Sequence, residues 1–562
     1  MPNFLENIFA QLKRADARVV LREIRGEQFV SVTGSELLEQ VQRVRAFLHN
    51  SGVQPGDRCA LLAPNSIRWV VFDLALMAEG VVVVPLYSRQ APGELIAMMK
   101  DCKPRLLFVS DAELGEGVAQ AWQEAPPRVL LDQVLKENAP KTSLPDGLSR
   151  ADSDIVTVIY TSGTSGEAKG VCLNTGNLNY MLARTTERLG QLMSATGARG
   201  ADRVFHYLPF NFAASWLLLL SCLARQTTLT LSTNLNKLAD EIRLSSPNYF
   251  LNVPTLLERV RRGVEEALSK RAAPIRSLFE KSRAAWERTN AGRASVLDKL
   301  RLRIAEKLIF SKIKQRFGCD LRALICGSAP LAPETQQFFQ MLGIPILQAY
   351  GLTETTGICT MDDPREITEP GYVGAAIPGI EMKTGENDEI MTRGPHIFSG
   401  YWNRPEETAG VLRDGWFHTG DQGERNARGK WRVTGRIKNL IVLNSGHKIA
   451  PEPLEETIAR VLPAAQQVVI VGNGRGYLCA LIAGTVELAG VQAALAVVNA
   501  ELPHYRRVRN FKLFGNAFTP ESGLLTANGK LRRDAVNTHF ASEINAMYEP
   551  KEDREAVSRQ HA

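Results

Sequence analysis

The sequence predicts an α/β protein: a large N-terminal domain of α/β subdomains ending in a small barrel-like unit, followed by a small α+β C-terminal domain. Three observations carry this. Arg58–Ala63 is a short apolar run, Ser66–Ala78 reads as a helix capped near Asn65, and Val81–Pro85 is a β-branched run, so together they spell a βαβ unit. Residues 370–435 are glycine-rich and broken into short β-like runs such as Glu389–Thr392 and Trp431–Thr434, which fits a small antiparallel or barrel-like unit. Past Gly435 the strand and helix signals alternate again.

Taken in order, Leu106–Val109 and Val129–Leu131 read as further short strands of the first region. After Tyr160 comes a Gly/Ser/Thr loop, then helical stretches to about residue 258. Ala323–Ala329 gives a strand–loop signal, Pro333–Leu342 a helix and Pro345–Ala349 a strand. In the C-terminal region Leu440–Leu443, Val468–Val471 and Leu478–Ile482 read as strands, and Pro453–Val461 and Val491–Glu501 as helices. The domain boundary is placed near Arg436–Asn439, dividing the chain into 1–436 and 437–562.

The 562 residues suffice for several cores at roughly 150 residues per domain. With 44% hydrophobic and 23% charged residues the composition is that of a soluble globular protein, not of a low-complexity chain. No apolar run is long enough to span a bilayer, and the N-terminus lacks a secretory signal pattern. The eight cysteines are scattered without a C-x-x-C pair, so neither a zinc site nor a disulfide framework is readable, and a reducing cytoplasm is expected. The net charge of +7 is concentrated: Arg259–Arg316 carries 17 Lys and Arg against 6 Asp and Glu, a net of +11, and everything else nets −4. Within that segment Leu297, Leu300, Ile304 and Leu308 fall at helical spacing, with Lys299, Arg301, Arg303 and Lys307 on the other faces. This reads either as a solvated helix packed on a core or as a surface for anionic lipid, an acidic carrier or a polyanionic ligand.

The string from Ile159 to Val171 carries the chemistry. Gly163, Gly166 and Gly170 let the backbone approach a ligand, while Thr161, Ser162, Thr164 and Ser165 offer hydroxyl donors and Lys169 a cation. That is what a loop needs to hold a polyphosphate. It is not a P-loop, because no G-K-[ST] follows at the required spacing.

This loop resembles the signature of the adenylate-forming superfamily, which includes acyl- and aryl-CoA synthetases, luciferases and peptide-synthetase adenylation domains. Further motifs follow in the family's order. Ala349-Tyr350-Gly351-Leu352-Thr353-Glu354 resembles a second nucleotide motif, which implies that Tyr350 stacks on adenine, Thr353 donates to the α-phosphate and Glu354 holds Mg²⁺. Gly327, Ser328, Ala329 and Pro330 resemble the adenine-side loop. Trp416–Asp421 matches the motif in which Asp421 accepts from the ribose hydroxyls. Gly435–Asn439 resembles the interdomain hinge, with Arg436 on ribose or phosphate and Lys438 as pivot, which implies a mobile C-terminal domain. Ser445, Gly446 and His447 stand where the family places its thiol-acceptor loop, and Leu525–Arg532 resembles the segment bearing the adenylation lysine, here Lys530.

Within the superfamily, Gly327–Thr335 and the basic insertion at about 260–317 resemble long-chain fatty acid–CoA ligases. Phe212 stands where those enzymes often have histidine. The apolar run Phe212–Leu220 suits an acyl tunnel, with Phe212 and Trp216 in its wall, or equally a buried core helix. The resemblance implies ATP, Mg²⁺ and coenzyme A as cofactors and a medium- or long-chain fatty acid as substrate. The alternatives are an acyl-AMP ligase that loads the phosphopantetheine of an acyl carrier protein, and a non-enzymatic nucleotide- or membrane-binding protein of the same fold. A cytoplasmic location is expected, with peripheral contact on the inner membrane surface as a further option. No nucleic-acid partner is expected.

Overall fold

The computed structural model describes residues 3–136, 150–162, 168–197, 200–318, 320–519, 522–525 and 531–549. The chain divides into two compact units, one of Met1–Met382, Thr392–Phe417 and Arg425–Arg432, the other of Lys383–Met391, His418–Glu424 and Val433–Ala562. The boundary read at 436/437 therefore lies inside the second unit, which also recruits two earlier segments.

Two large sheets dominate the first unit. One runs Gly400–Tyr401, Ala168–Asn174, Ile155–Ser162, Val82–Leu86, Arg58–Leu62, Leu106–Val109, Arg128–Leu130, and its inner strands pair in parallel from Ile155–Ser162 onward. The other has nine strands and contains the parallel series Ile346–Tyr350, Ala323–Cys326, Tyr249–Asn252, Asp202–His206, Thr227–Leu231, Val19–Arg25. Helix Ile67–Ala78 touches strands of both sheets. Every residue in it but Arg68 is buried, which explains its lack of an amphipathic period. Its cap is Ser66, whose hydroxyl accepts from the Trp69 N–H at 3.1 Å, and not Asn65.

The stretch expected to be helical up to residue 258 contains four strands: Ala168–Asn174, Asp202–His206, Thr227–Leu231 and Tyr249–Asn252. They are short and carry Thr, Asn, Asp or His, so the leucine-rich helix Ala213–Leu223 between them masks their period. The basic insertion is the crossover between the adjacent parallel strands Tyr249–Asn252 and Ala323–Cys326. It comprises helices Pro254–Ser269, Ala273–Asn290 and Val296–Ala305, a π-helical turn Glu306–Phe310 and a short return. Leu257, Phe279, Ala305, Ile309 and Phe310 anchor it on Phe338 and Phe339.

A five-stranded sheet lies where the barrel-like unit is expected. Its order is Glu381–Thr384, Glu389–Arg393, Trp416–Arg425, Leu412–Arg413, with Trp431–Arg436 also paired to Trp416–Arg425. In the second unit, strands Gln467–Val471, Leu478–Ala483 and Val508–Phe514 form a sheet with helices Glu452–Val461 and Leu488–Ala500, an α+β arrangement. The seven described cysteines are unpaired and buried. Among the described residues no helix is long and apolar enough to cross a membrane.

Candidate active site

Ligands of open α/β sheets bind beyond the carboxyl ends of the strands. Gly327–Pro330 and Gly351–Glu354 leave two neighbouring parallel strands at that end, where Cys326 sits opposite Gln348. A Cβ on Gly327 would lie 3.0 Å from the Ala349 carbonyl oxygen, so the two strand ends are held close. Ser328 takes a left-handed φ of +75°, a conformation costly for a side chain and concentrated at ligand sites. At Gly351 a Cβ would come within 2.4 Å of Ile358 Cα, and only glycine lets the chain double back there. The Cys359 N–H closes that loop on the Tyr350 carbonyl at 2.7 Å. Thr353–Thr355 forms a 3₁₀ turn, pinned where the Phe398 N–H donates to the Glu354 carbonyl at 2.9 Å and Thr356 Oγ1 to the His396 carbonyl at 2.7 Å.

Strand Ala168–Asn174, which follows the glycine- and hydroxyl-rich string, reaches the same turn through Tyr401. Strand Gly400–Tyr401 pairs antiparallel with Ala168–Asn174, setting Tyr401 opposite Val171. The Tyr401 hydroxyl donates to Glu354 Oε1 at 2.9 Å. The Lys169 ammonium lies 5.3 Å from the centre of the Tyr401 ring and forms an ion pair with Glu407. Burial first, then the neighbouring Glu354 charge, pushes the Tyr401 phenol well above its ordinary range, so it stays a neutral donor. Thr161 sits opposite Lys169 in the hairpin. Gly163, Thr164, Ser165 and Gly166 lie outside the described residues, as do the Ser162 side chain and Lys530. Sequence reasoning missed Tyr401 and Glu407. A single tyrosine after a glycine carries no chemical signature, and only strand pairing brings it to Glu354.

Of the residues expected in an acyl tunnel, Phe212 is half-buried at the start of helix Ala213–Leu223. A Cβ on Gly357 would lie 3.3 Å from Ala214 Cα, so this helix start abuts the turn that follows Glu354. Asn65 fixes the approach: its amide donates to the Leu208 carbonyl at 2.7 Å and its carbonyl accepts from the Phe210 N–H at 3.0 Å. Trp216 is 2% exposed, and its indole N–H donates to Asp73 Oδ2 at 2.8 Å. Of the two expected tunnel residues, Trp216 is thus part of the packed core.

Burial raises the Asp73 carboxyl to about 7, opposed by the Trp216 bond. The folded protein then keeps a proton that the unfolded chain releases above about 4, so stability falls as pH rises from about 4 to about 7. Asp73→Asn keeps an acceptor for the indole. It is expected to flatten that decline and to melt higher than wild type at pH 8. A melting difference identical at pH 5 and pH 8 would exclude this account.

In the second unit Asp421 is buried within strand Trp416–Arg425, with Oδ1 2.7 Å from Nε of Arg436, the last residue of the paired strand Trp431–Arg436. Glu389 braces this strand, accepting from the Gly420 N–H at 3.0 Å and facing His418 Nδ1 at 2.8 Å. Lys438 lies in the 3₁₀ turn Ile437–Asn439, tied down by Asn439 Nδ2 donating to Glu452 Oε1 at 2.5 Å. Ser445, Gly446 and His447 form the tip of the hairpin between Ile441–Val442 and Lys448–Ile449. Gly446 has φ +80°, Ser445 Oγ is 2.8 Å from His447 Nδ1, and the His447 ring stacks on Tyr505 at 4.1 Å.

A carboxylate, an ammonium and a hydroxyl thus stand together at strand ends of an α/β unit. The chain belongs to the AMP-binding enzyme family: residues 8–402 match that family, and residues 438–552 match the AMP-binding enzyme C-terminal domain. It is 26% identical over 565 residues to a long-chain-fatty-acid–CoA ligase of Mycobacterium bovis, covering 92% of each chain. It is 30% identical over 437 residues to a putative fatty-acid–CoA ligase of Mycobacterium tuberculosis, covering 70% of this chain and 74% of that one. Among solved structures, the adenylation domain of a carboxylate reductase from Mycobacterium chelonae superposes with a TM-score of 0.77 at 22% identity, over 97% of this chain and 91% of that one. The o-succinylbenzoate CoA synthetase of Bacillus subtilis does so with a TM-score of 0.74 at 20% identity, over 95% and 97%.

Proposed function

We propose that this protein is an AMP-forming acid–thiol ligase that activates a medium- or long-chain fatty acid with ATP and transfers it to coenzyme A. The observation that best supports the reading is the Lys169–Tyr401–Glu354 cluster, which joins the phosphate-loop strand to the second nucleotide motif in a chain of the AMP-binding family. In the first half-reaction a carboxylate oxygen attacks the α-phosphorus of ATP and the bond to pyrophosphate breaks. The carboxylate is already ionised at neutral pH, so no general base is required. The barrier is bringing two anions together, which calls for positioning and neutralisation of charge. Thr353 donates to the α-phosphate, Lys169 and the 161–166 hydroxyls take the departing pyrophosphate, and Lys530 bridges carboxylate and phosphate. Tyr350 carries the adenine beside Gly327–Pro330, Asp421 accepts from the ribose, and Arg436 lies beside it.

A hard carboxylate oriented by a phenol fits a Mg²⁺ site on Glu354, because a cation that keeps most of its waters needs few protein ligands. Bound there with ATP, Mg²⁺ would offset phosphate charge. In the second half-reaction the thiol sulfur attacks the acyl carbonyl carbon, the bond to AMP breaks and the thiol proton leaves to solvent. Ser445–His447 guide the thiol. The decisive experiment is a thioester-forming assay over C2 to C18 and aryl acids, with free coenzyme A and a purified acyl carrier protein as competing acceptors. Transfer to the carrier alone would replace the ligase reading by the carrier-loading one. The location consistent with the reading is cytoplasmic, with peripheral contact on the inner membrane surface.

Tyr401→Phe removes the hydroxyl that orients Glu354 but keeps the ring beside Lys169. It is expected to raise the Mg²⁺ concentration needed for half-maximal adenylation about tenfold, in line with loss of an outer-sphere contact, with little change at saturating Mg²⁺. An unchanged Mg²⁺ dependence would separate Tyr401 from the metal site.

A further inference from the structure

Helix Val296–Ala305 and the π-helical turn after it turn the wrong apolar row to the core. The row expected to pack is Leu297, Leu300, Ile304 and Leu308. Those four are 61%, 52%, 40% and 49% exposed, and Val296 beside them is 84% exposed. Packing is supplied instead by Leu302, Ala305 and Ile309. The inner side is locked by Asp298, whose buried carboxylate accepts from the Ser295 N–H at 3.1 Å and pairs with Arg288 at 2.5 Å and Arg301 at 3.6 Å.

Lys299, Arg303 and Lys307 follow one another at four-residue intervals, so they form a second row beside the outward apolar one. All three are exposed, and among the described residues none of them is in an ion pair. The segment around them, Arg259–Arg316, carries a net +11, against +7 for the whole chain.

We infer that this face is a docking surface for an anionic lipid bilayer. The inference rests on the peripheral contact suggested above and assigns it to one helix. Large apolar side chains flanked by cations are what an interfacial helix presents: the cations meet lipid headgroups and the apolar row enters the acyl boundary. The chemistry favours a bilayer over an acidic protein. Val296, Leu297 and Leu300 are exposed side by side on the helix, and a bilayer accepts protruding side chains without a shaped pocket, whereas a protein partner must supply one.

The test uses the full chain, co-sedimented with vesicles of phosphatidylcholine alone and of phosphatidylcholine mixed with phosphatidylglycerol, at low and physiological salt. Two variants are compared with wild type: Leu300→Gln with Ile304→Gln, and Lys299→Gln with Arg303→Gln and Lys307→Gln. Arg301 is left alone because it pairs with Asp298. Each variant is expected to lower the partition coefficient on anionic vesicles about tenfold or more, and salt to weaken wild-type binding. ATP–pyrophosphate exchange with a short soluble acid, run in parallel, is expected to be equal in all three proteins. Absence of exchange in wild type would overturn the ligase reading and leave the vesicle result to judge this surface. Equal binding to neutral and anionic vesicles, binding unaffected by both variants, or a loss confined to self-association or to retention on an acyl carrier protein would overturn the inference.

Discussion

Lys530→Ala is expected to lower acyl-adenylate formation by about 10²–10³-fold while leaving thioester formation from supplied acyl-adenylate within a few-fold of wild type. The asymmetry follows from charge. Only the first half-reaction brings a carboxylate up to a triphosphate, and only there does a bridging ammonium have two anions to hold together. In the second, a thiol attacks a carbonyl whose phosphate leaving group is already bound. The measurement is ATP–pyrophosphate exchange set beside coenzyme A acylation from synthetic acyl-adenylate. Equal losses in the two assays would assign Lys530 to structure or to another step.

Lys438→Pro is expected to give the opposite pattern, with adenylation within a few-fold of wild type and thiol transfer reduced at least about tenfold. Lys438 sits in a 3₁₀ turn, whose φ values are close to the −65° that proline imposes. The substitution therefore suits the turn that is present and denies this position any other φ. If the second half-reaction uses a rotation concentrated at this residue, it is blocked by loss of an alternative conformation, not by loss of a contact. The residue before proline prefers extended backbone, so Ile437 bears some strain. A melting curve checks that the fold survives it. Wild-type rates in both half-reactions would place the pivot elsewhere.

Much of this architecture is legible from local pattern, and the failures share a cause. Arg58–Leu62 and Val82–Leu86 stand out because, after Arg58, both faces are buried and the runs are apolar. Asp202–His206 is equally central but reads Asp-Arg-Val-Phe-His. Its ends face partners specific to the fold, such as Arg225, paired with Asp202 at 2.7 Å, and Ser215, 2.5 Å from His206. No propensity anticipates such pairs. The site divides in the same way. Gly351, Glu354, Lys169 and Asp421 announce themselves as strings of special residue types, whereas Tyr401 acquires its place only when Gly400 registers against Cys172.

The basic helix is the sharper lesson. Its 3.6-residue period is real, but period identifies a stripe and not the stripe's neighbour. With two apolar rows on one helix, Leu302, Ala305 and Ile309 reach the phenylalanine cluster and the longer row does not.

Adjacent parallel strands oblige the chain to travel back along their length, whatever lies between them. Between Tyr249–Asn252 and Ala323–Cys326 that return takes residues 253–322, far more than the dozen or so a minimal crossover needs. The surplus leaves the pairing of Asn252 with Cys326, and hence the start of the Gly327 loop, where a minimal connection would leave them. The excursion is therefore modular: a segment in which length, charge and outer surface can be gained, lost or exchanged while the strand ends that start the Gly327 and Gly351 loops keep their register. A ligase built this way can acquire a new cellular address without redesign of its chemistry.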